Sequence, residues 1–338
     1  MDMDKINRIF DKFKNATVLV VGDVMIDCYI SGKVTRISPE APVPIVNAQS
    51  RNYRLGGAAN VALNLKSLGA NPILCSVIGS DNKSKVLYDL MEECELDSLG
   101  LVPIYGRRTT VKYRIIGNNA HIVRVDDERD EQLKEREKRQ FLTTVEQVID
   151  HNPIDAIIFE DYDKGLFSKD LIEEMISFAQ NKSIFVAVDP KKRNFNNYQN
   201  VNLFKPNMKE LSAGLNLEEN VALTLDNIHV LVKKFAVEKN IGKVLITMSD
   251  KGMAFYDRET DLFYHQNAFT RRVSDPSGAG DTVISVSTLF LWAGESLEMA
   301  CLASNLAGGL VCEYVGVVPI NMAQLKSEML KNQGGGAQ

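Results

Sequence analysis

The sequence of 338 residues lacks the cysteine and histidine spacing of a disulfide framework or a metal site. Its histidines are isolated, with no metal-ligand spacing among them. The cysteines form no CxxC pair and are odd in number: Cys28, Cys75, Cys94, Cys301 and Cys312. This pattern favours buried free thiols, and with them a reducing compartment.

Long apolar runs and an excess of positive charge are also missing. The longest apolar helical stretch, residues 283–293, is too short to span a bilayer. Lysine and arginine total 39 against 44 acidic residues, for a formal net charge of -5, which does not favour a nucleic-acid partner. Residues 1–5 are charged, unlike a signal peptide. We therefore expect a cytoplasmic protein with no membrane or nucleic-acid partner.

The common nucleotide-binding motifs are absent as well. No G-x-x-x-x-G-K-[ST] is present, which excludes a P-loop enzyme. No G-x-G-x-x-G follows the first strand, which argues against a dinucleotide-dependent redox enzyme. The H-R-D and D-F-G motifs of protein kinases are missing too.

What the chain does contain is an alternation of strands and helices. With 45% hydrophobic and 25% charged residues, it has the composition of an ordinary globular protein. Helices predicted at 58–68 and 169–181 are interleaved with β-branched strands at 17–22, 73–78, 156–159, 184–188, 203–205 and 244–248. The pattern predicts an α/β fold with a doubly wound, largely parallel sheet and helices on both faces.

Two β-rich segments, near 29–54 and 104–125, interrupt this alternation. Prolines exclude a helix in the first, and a turn at 117–119 predicts a hairpin in the second. We expect the two to form one small β-sheet lid that excludes water from an active site. Two ordinary edge hairpins are the alternative.

The remaining boundaries follow from charge and glycine content. The charged stretch 126–139 is predicted to begin a long solvent-facing helix that reaches about residue 149. No linker divides the chain, so residues 1–333 are predicted to be a single domain. Residues 334–338 are predicted to be a flexible tail.

The sharpest motif is the turn at 275–282, Asp-Pro-Ser-Gly-Ala-Gly-Asp-Thr, followed at once by an apolar helix. Glycines let the backbone approach a phosphate closely, and the first amides of a helix bind anions. Gly278, Ala279 and Gly280 are therefore the predicted anion hole for the transferred phosphoryl group and for ATP.

Asp281 lies directly after this turn. A carboxylate at a helix start can simply stabilise the helix dipole. Next to an anion hole it can also act as general base, accepting the proton of an acceptor hydroxyl. We predict the catalytic role.

Three segments resemble signatures of the ribokinase-like (PfkB) carbohydrate kinases. The 275–281 turn and residues 56–60, Gly-Gly-Ala-Ala-Asn, resemble the two signature regions, and residues 207–210, Asn-Met-Lys-Glu, match the N-x-x-E motif. They follow the family's order across nearly the whole chain. The resemblance implies a ribokinase-like fold and a phosphotransferase with an alcohol acceptor that uses ATP and Mg²⁺. A monovalent cation requirement is left open.

Further segments resemble the heptose-7-phosphate 1-kinase branch, which serves bacterial lipopolysaccharide synthesis. They are residues 22–27, 36–44, 110–114, 124–126 and 161–165. This resemblance implies phosphorylation of the C1 hydroxyl of heptose 7-phosphate. The branch often carries a second, adenylyltransferase domain, but no H-x-G-H motif is present here, so a stand-alone kinase is expected. Ser277 stands where the family has threonine, which affects the expected loop geometry but not the reaction.

The sugar pocket follows from the same resemblance. It implies a lining of polar and glycine residues: Asp23, Asp27, Gly56, Gly57 and Asn60. Carboxylate and amide groups supply the donors and acceptors that a polyol needs. The alternatives are a turn role for Asp27 and a plain helix start for the glycine pair.

A phosphorylated sugar also needs a cation far from the reacting hydroxyl. Lys112, Arg114 and Arg124 lie on the predicted hairpin, and strand alternation places Lys112 and Arg114 on one face. Arginine suits bidentate phosphate binding. Basic residues on an edge strand also prevent aggregation. We predict that these three bind the substrate phosphate.

Asn207 and Glu210 are predicted to organise Mg²⁺ and its waters around the ATP phosphates. The same pair forms a capping-box pattern, and both interpretations can hold together. Resemblance alone implies an adenine site near Ser249, Gly252 and Asn305. Two lysines, Lys164 and Lys191, are predicted to contact ATP phosphates or the sugar.

Other functions stay open at this stage. The acceptor can be a different sugar, such as ribose, fructose or a hexose phosphate, or a nucleoside. A sugar- or nucleotide-binding regulator without catalysis is a further alternative, although the signature residues are all intact. The exposed edge of a lid sheet predicts a homodimer.

Overall fold

The computed structural model describes residues 2–218 and 223–332; the tail predicted at 334–338 lies outside them. The described strands are β1 (Thr17–Gly22), β2 (Val24–Ile37), β3 (Pro44–Gly57), β4 (Asn71–Gly79), β5 (Leu101–Ile104), β6 (Val111–Gly117), β7 (Ala120–Asp127), β8 (Ala156–Glu160), β9 (Phe185–Asp189), β10 (Leu203–Phe204), β11 (Lys243–Thr247), β12 (Met253–Asp257) and β13 (Leu262–Gln266). The described α-helices are α1 (Met3–Phe13), α2 (Ala58–Ser67), α3 (Asn82–Glu93), α4 (Glu135–His151), α5 (Lys169–Asn181), α6 (Met208–Gly214), α7 (Leu225–Glu238), α8 (Ala279–Trp292), α9 (Leu297–Val311) and α10 (Met322–Lys331).

The main sheet has nine strands in the order β13-β12-β11-β10-β9-β8-β1-β4-β5. Neighbouring strands from β5 to β11 run parallel, and β12 and β13 extend the sheet as an antiparallel meander at one edge. The order changes direction beside β1, because β4 lies on one side of it and β8 on the other. The predicted doubly wound, largely parallel sheet is confirmed.

Both faces of this sheet are covered by helices. Val18 and Val20 of β1 belong to a core with α1, α2, α8 and α9. Leu19 and Val21, which point the other way, belong to a core with α4, α5 and α7. A strand buried on both faces explains why β1 is apolar at every one of these positions.

Helix α8, which carries Asp281, is buried over most of its length. Its residues from Asp281 to Leu291 are all buried, and Phe290 packs edge-on against Phe10 and Phe13 of α1. Among the described helices, none combines the length and the apolar character needed to cross a membrane.

A second sheet of four strands, in the order β3-β2-β6-β7, forms the lid. The predicted small sheet is confirmed, but its bounds 29–54 and 104–125 are wrong. Strands β2 and β3 are each 14 residues long and extend back to Val24 and forward to Gly57. Ile104 belongs to β5 of the main sheet, and the second lid segment starts only at Val111.

One predicted helix is also wrong in part. Asp126 and Asp127 end strand β7, and α4 starts only at Glu135. The seven residues between Asp127 and Glu135 connect the lid to α4. Their charged side chains therefore face solvent or neighbouring loops. Helix α10 at the end of the described chain was not predicted.

Candidate active site

The carboxyl ends of the parallel strands carry the polar side chains of the site. Asp23 follows β1, Glu160 and Asp189 end β8 and β9, and Lys205 follows β10. All four are buried. Ligands of open α/β sheets bind at this edge, where the strand order changes direction.

The predicted phosphate turn lies over this edge. Gly278 is the N-cap of α8 and has φ 81°, a left-handed conformation that a side chain disfavours. Ala279 and Gly280 begin the helix, so their amides lack intrahelical acceptors. The Ala279 N–H donates to the Pro276 carbonyl oxygen at 3.3 Å, so the turn presents glycine backbone and the helix N-terminus, but not a free Ala279 amide, to the cleft.

Asp281, in the first turn of α8, is only 3% exposed. The Tyr162 hydroxyl donates to its Oδ1 at 2.6 Å, and Asn60 Nδ2 donates to its Oδ2 at 2.7 Å. Burial raises the pKa of Asp281 to about 6, although both hydrogen bonds act to lower it. The carboxylate is thus held in one orientation and titrates close to neutral pH, as a general base requires.

A buried ion pair lies beneath the turn. Lys205 Nζ is 2.7 Å from Asp189 Oδ2. A Cβ placed on Gly280 would be 3.6 Å from that amine. The ammonium group of this ion pair therefore lies directly below the backbone that was predicted to hold a phosphoryl group, with its charge balanced by Asp189.

Glu160 is fully buried beside this pair, and neither of its carboxyl oxygens has a hydrogen-bond partner within the described residues. Burial, together with the charges of Asp189 and Asp281, raises its pKa well above the ordinary value. Burial thus shifts Glu160 toward its neutral form, in the direction that reduces negative charge around Asp281.

The predicted sugar-pocket residues are brought together at the base of the lid. Asp23 Oδ2 accepts the backbone N–H groups of Tyr162 at 3.0 Å and Lys164 at 3.1 Å. A Cβ on Gly56 would lie 2.4 Å from Asp27 Oδ2, and one on Gly57 would lie 2.4 Å from the Asp23 carbonyl oxygen. The glycine pair is required for this close approach.

The three predicted phosphate ligands share one lid face, because Lys112 pairs with Asp27 in register and Arg114 pairs with Arg124. Their charges differ in availability. Arg114 forms an ion pair with Asp27, and Arg124 pairs with Asp126 at 2.9 Å on the exposed edge.

Of the three predicted ligands, Lys112 is the one without a carboxylate partner in the described parts of the chain; Arg54, on the same face, has none either and donates to backbone carbonyl oxygens instead. Lys112 Nζ lies 5.5 Å from the centre of the Tyr162 ring. Burial and the neighbouring Lys164 amine lower its pKa. An anion bound next to it would reverse that effect.

Asn207 and Glu210 form the capping box that was the alternative interpretation. Asn207 Oδ1 accepts the Glu210 N–H at 2.8 Å, and Glu210 Oε2 accepts the Asn207 N–H at 2.8 Å. Glu210 Oε1 also pairs with Lys191, whose Nζ lies 5.1 Å from the Tyr162 ring centre. The motif is therefore connected to the catalytic region through Lys191 and Tyr162.

The residues predicted near adenine meet at one segment beyond β13. Asn305 Nδ2 donates to the Asn267 carbonyl oxygen at 2.9 Å. A Cβ on Gly252 would lie 2.0 Å from the Gln266 carbonyl oxygen, and Gly252 N donates to Ser249 O at 3.1 Å. Thr247, next to this group, bridges to Asn207.

The sequence interpretation missed four residues of the site: Glu160, Tyr162, Asp189 and Lys205. Tyr162 entered it only within a resembling segment. Each of the four lies at or just after the end of a short apolar strand. Polar residues at such positions are the signal that would have identified them.

Comparison with known proteins identifies the family and the fold. The profile of the pfkB family of carbohydrate kinases matches residues 15–323. "Bifunctional protein HldE" from Desulfatibacillum aliphaticivorans is 35% identical over 94% of this chain and 64% of its own length. The protein of the same name from Methylobacillus flagellatus is 36% identical over 94% and 64%.

The chain thus spans about 64% of the length of these curated relatives. Phosphofructokinase-2 from Escherichia coli, solved in complex with potassium, has the same fold with a TM-score of 0.73 at 19% identity, over 94% of this chain and 98% of the other. The chain belongs to the pfkB family of carbohydrate kinases, enzymes that transfer a phosphoryl group to an alcohol.

Proposed function

We propose that this kinase transfers the γ-phosphoryl group of ATP to the C1 hydroxyl of heptose 7-phosphate, giving heptose 1,7-bisphosphate and ADP. Its place would be the synthesis of ADP-heptose for lipopolysaccharide. The segments that resemble the heptose-7-phosphate 1-kinase branch support this choice. The relatives named HldE agree with it, although the chain spans only part of their length.

The single observation that carries the chemistry is the buried, doubly hydrogen-bonded Asp281 at the phosphate turn. In the proposed reaction Asp281 accepts the proton of the sugar hydroxyl as its oxygen bonds to the γ-phosphorus. The bond from that phosphorus to the bridging oxygen breaks, and the electron pair leaves with ADP. The turn at Gly278, Ala279 and Gly280 holds the moving group, and the Lys205 ammonium below it, shared with Asp189, contributes an N–H dipole on that side.

The Asn207 and Glu210 side chains fit an indirect role with Mg²⁺. Glu210 already uses Oε1 for Lys191 and Oε2 for the Asn207 amide. Among the described residues, no group of three or more acidic, histidine or cysteine side chains is placed to hold a metal ion. Mg²⁺ commonly keeps several waters and takes few protein ligands, so contact through water suits this pair. When bound, the ion would neutralise phosphate charge.

We assign the substrate's own phosphate to the lid face that carries Lys112. Arg114 and Arg124 are neutralised by aspartates, whereas Lys112 is not. The 7-phosphate would pair with Lys112 and compete with Asp27 for Arg114. Asp23, Asp27 and Asn60 would bind the sugar hydroxyls, while Ser249, Gly252 and Asn305 would border the adenine.

The proposal extends to assembly and location. The exposed lid edge supports a homodimer, and dependence on ATP supports a cytoplasmic enzyme. A monovalent cation beside the turn is not assigned.

The test is ADP release by the purified chain with heptose 7-phosphate, fructose 6-phosphate, fructose, ribose and a nucleoside. We expect heptose 7-phosphate to give the highest kcat/KM, and Asp281→Asn to lower kcat by about 10²–10⁴-fold. A different preferred acceptor, with Asp281→Asn still inactive, would change the substrate but keep the mechanism. No turnover with any acceptor would favour a binding regulator.

A lysine pair tests the phosphate site. Lys112→Met should raise KM for the phosphorylated sugar by about 10- to 100-fold, because a charge-assisted contact is lost. Lys83→Met is the matched control, since Lys83 also lies over tyrosine rings, those of Tyr53 and Tyr113. An unchanged KM in Lys112→Met would contradict the assignment.

A further inference from the structure

Tyr162 contacts Asp281, and no sequence pattern predicted this contact. Its hydroxyl donates to Asp281 Oδ1 at 2.6 Å, while Asn60 occupies Oδ2. Two donors, one on each oxygen, prevent the carboxylate from rotating about its χ2 bond. Tyr162 is partly buried, and the burial of its phenol, with the nearby Asp281 charge, raises its pKa well above the ordinary value. The hydroxyl therefore stays protonated and remains a donor.

The rest of Tyr162 is fixed by other parts of the site. Its backbone N–H donates to Asp23 Oδ2 at 3.0 Å. The ring centre lies 5.5 Å from Lys112 Nζ, on lid strand β6, and 5.1 Å from Lys191 Nζ, which pairs with Glu210. One side chain thus contacts the general base, the lid cation and the cation next to the N-x-x-E motif.

We propose that Tyr162 is a positioning residue for Asp281. The Tyr162 hydroxyl holds the Asp281 carboxylate oriented and ionised, and the Tyr162 ring connects this base to Lys112 and Lys191. The inference rests on the proposed role of Asp281 as general base. Its connection to Lys112 rests in addition on the proposed binding of the substrate phosphate by Lys112.

The charged groups facing Asp281 come from every strand end around it. Asp189 raises the pKa of Asp281, and Lys205 lowers it. Glu160 also faces Asp281, and its neutral form is favoured by burial. Against this background the two hydrogen bonds lower the pKa, so removal of the Tyr162 hydroxyl must raise it further.

Tyr162→Phe tests the hydroxyl while keeping the ring. For the parent enzyme the acid limb of kcat/KM should have its midpoint near pH 6, where Asp281 titrates. In Tyr162→Phe the midpoint should move up by about one pH unit. At pH 8, where Asp281 is ionised in both proteins, kcat of Tyr162→Phe should still be about tenfold lower, because the base is less well oriented.

Tyr198→Phe is the matched control. Tyr198 is a fully buried tyrosine whose hydroxyl donates to Asp161 Oδ2 at 3.0 Å. Tyr198→Phe removes a comparable hydrogen bond to Asp161, the residue next to Tyr162 in the chain, and leaves the hydrogen bonds of Asp281 in place. Its acid limb should stay near pH 6, whatever happens to its thermal stability.

A leucine at the same position tests the ring. Tyr162→Leu should reproduce the pH shift of Tyr162→Phe and, in addition, raise KM for the phosphorylated sugar about fivefold, because Lys112 loses the aromatic face that positions it. Equal KM values in the two variants would overturn the connection to the lid.

A measurement without turnover keeps the proposal testable if a variant is too weakly active. Carbon-13 NMR of aspartate-labelled protein, with Asp281→Asn used to assign the signal, should show the Asp281 carboxyl titrating about one unit higher in Tyr162→Phe. An unmoved titration in a folded variant would overturn the proposal. An active Asp281→Asn enzyme would instead refute the general base itself, so the two failures are distinguishable.

Discussion

At the residue scale, two glycines of the phosphate turn serve different ends. Gly278 has φ 81°, and a Cβ there would lie 2.9 Å from Asn60 Nδ2. Gly280 lies in the helix, and its Cβ would meet Lys205 Nζ at 3.6 Å, an ordinary contact. The first glycine is demanded by the fold, whereas the fold tolerates a methyl group at the second.

Alanine at each glycine should therefore separate folding from catalysis. Gly278→Ala should lower the free energy of unfolding by about 1–2 kcal/mol, from left-handed strain, and displace Asn60 from Asp281. Gly280→Ala should be as stable as the parent protein, or more stable by up to about 1 kcal/mol, because alanine favours a helix. It should nevertheless lose most of its kcat. Chemical denaturation and steady-state kinetics provide both readouts.

Full activity in Gly280→Ala would contradict the close approach of a phosphoryl group to this backbone. Full stability in Gly278→Ala would contradict the strain argument. Each variant thus serves as the control for the other.

Residues could be predicted from the sequence where a local pattern carried the chemistry. Asp281 and Gly278 stand in one eight-residue turn, and Asn60 follows a glycine pair. Tyr162, Glu160 and Lys205 form no such pattern, because they come from different strands that meet only in the folded sheet. The charge pairing that leaves Lys112 without a carboxylate partner among the described residues was equally invisible, since it depends on cross-strand register.

At the scale of elements, the lid is docked on the loop before α10. The Tyr29 hydroxyl accepts the Val317 N–H at 3.1 Å, and Arg54 Nη1 donates to the carbonyl oxygens of Val315 and Val317 at 3.0 and 2.9 Å. Gly316 N donates to Asp275 Oδ2 at 3.0 Å. The lid is thereby linked to the first residue of the phosphate turn.

Weakening this docking should make the lid less effective at excluding water. Arg54→Met removes both carbonyl contacts, and we expect KM for the sugar substrate to rise about five- to tenfold, with faster ATP hydrolysis when no acceptor is present. The control is Arg51→Met, because Arg51 is exposed and lies on the opposite face of β3. Both quantities can be followed by coupled ADP detection.

The prediction fails if Arg54→Met and Arg51→Met hydrolyse ATP at the same rate. In that case the lid would close without its contact to the 315–317 loop.

Elements with one clear period were predicted well, and the lid was not. Strand β1 and helix α5 match their predicted bounds. Strands β2 and β3 carry polar residues on both faces toward the lid tip, so the period of two that indicates a half-buried strand is lost there. The crossing from β7 to α4 is rich in charge and resembles the helix that follows it, which explains the misplaced start.

At the scale of the whole molecule, the lid offers a surface for the proposed homodimer. Val123 and Val125 on edge strand β7 are 50% and 51% exposed. They point away from the face that carries Lys112. An edge strand with exposed apolar side chains is a template for pairing with another chain.

We expect sedimentation at micromolar concentration to show a dimer, and Val123→Glu with Val125→Glu to shift it to monomer. Val230→Glu with Val237→Glu is the matched control, because these valines form another exposed apolar pair, on α7. A parent protein that sediments as a monomer would rule out the dimer. A dimer that persists in the β7 variant would place the interface elsewhere.

Two of the four chain connections between the lid and the rest of the domain lie at residues of the proposed sugar pocket. Asp23 separates β1 from β2, and Gly57 separates β3 from α2. A swing of the lid would bend the chain at these two residues and at the connections over 105–110 and 128–134. We therefore expect opening of the lid to displace residues of the proposed sugar pocket, so that lid movement and product release are coupled.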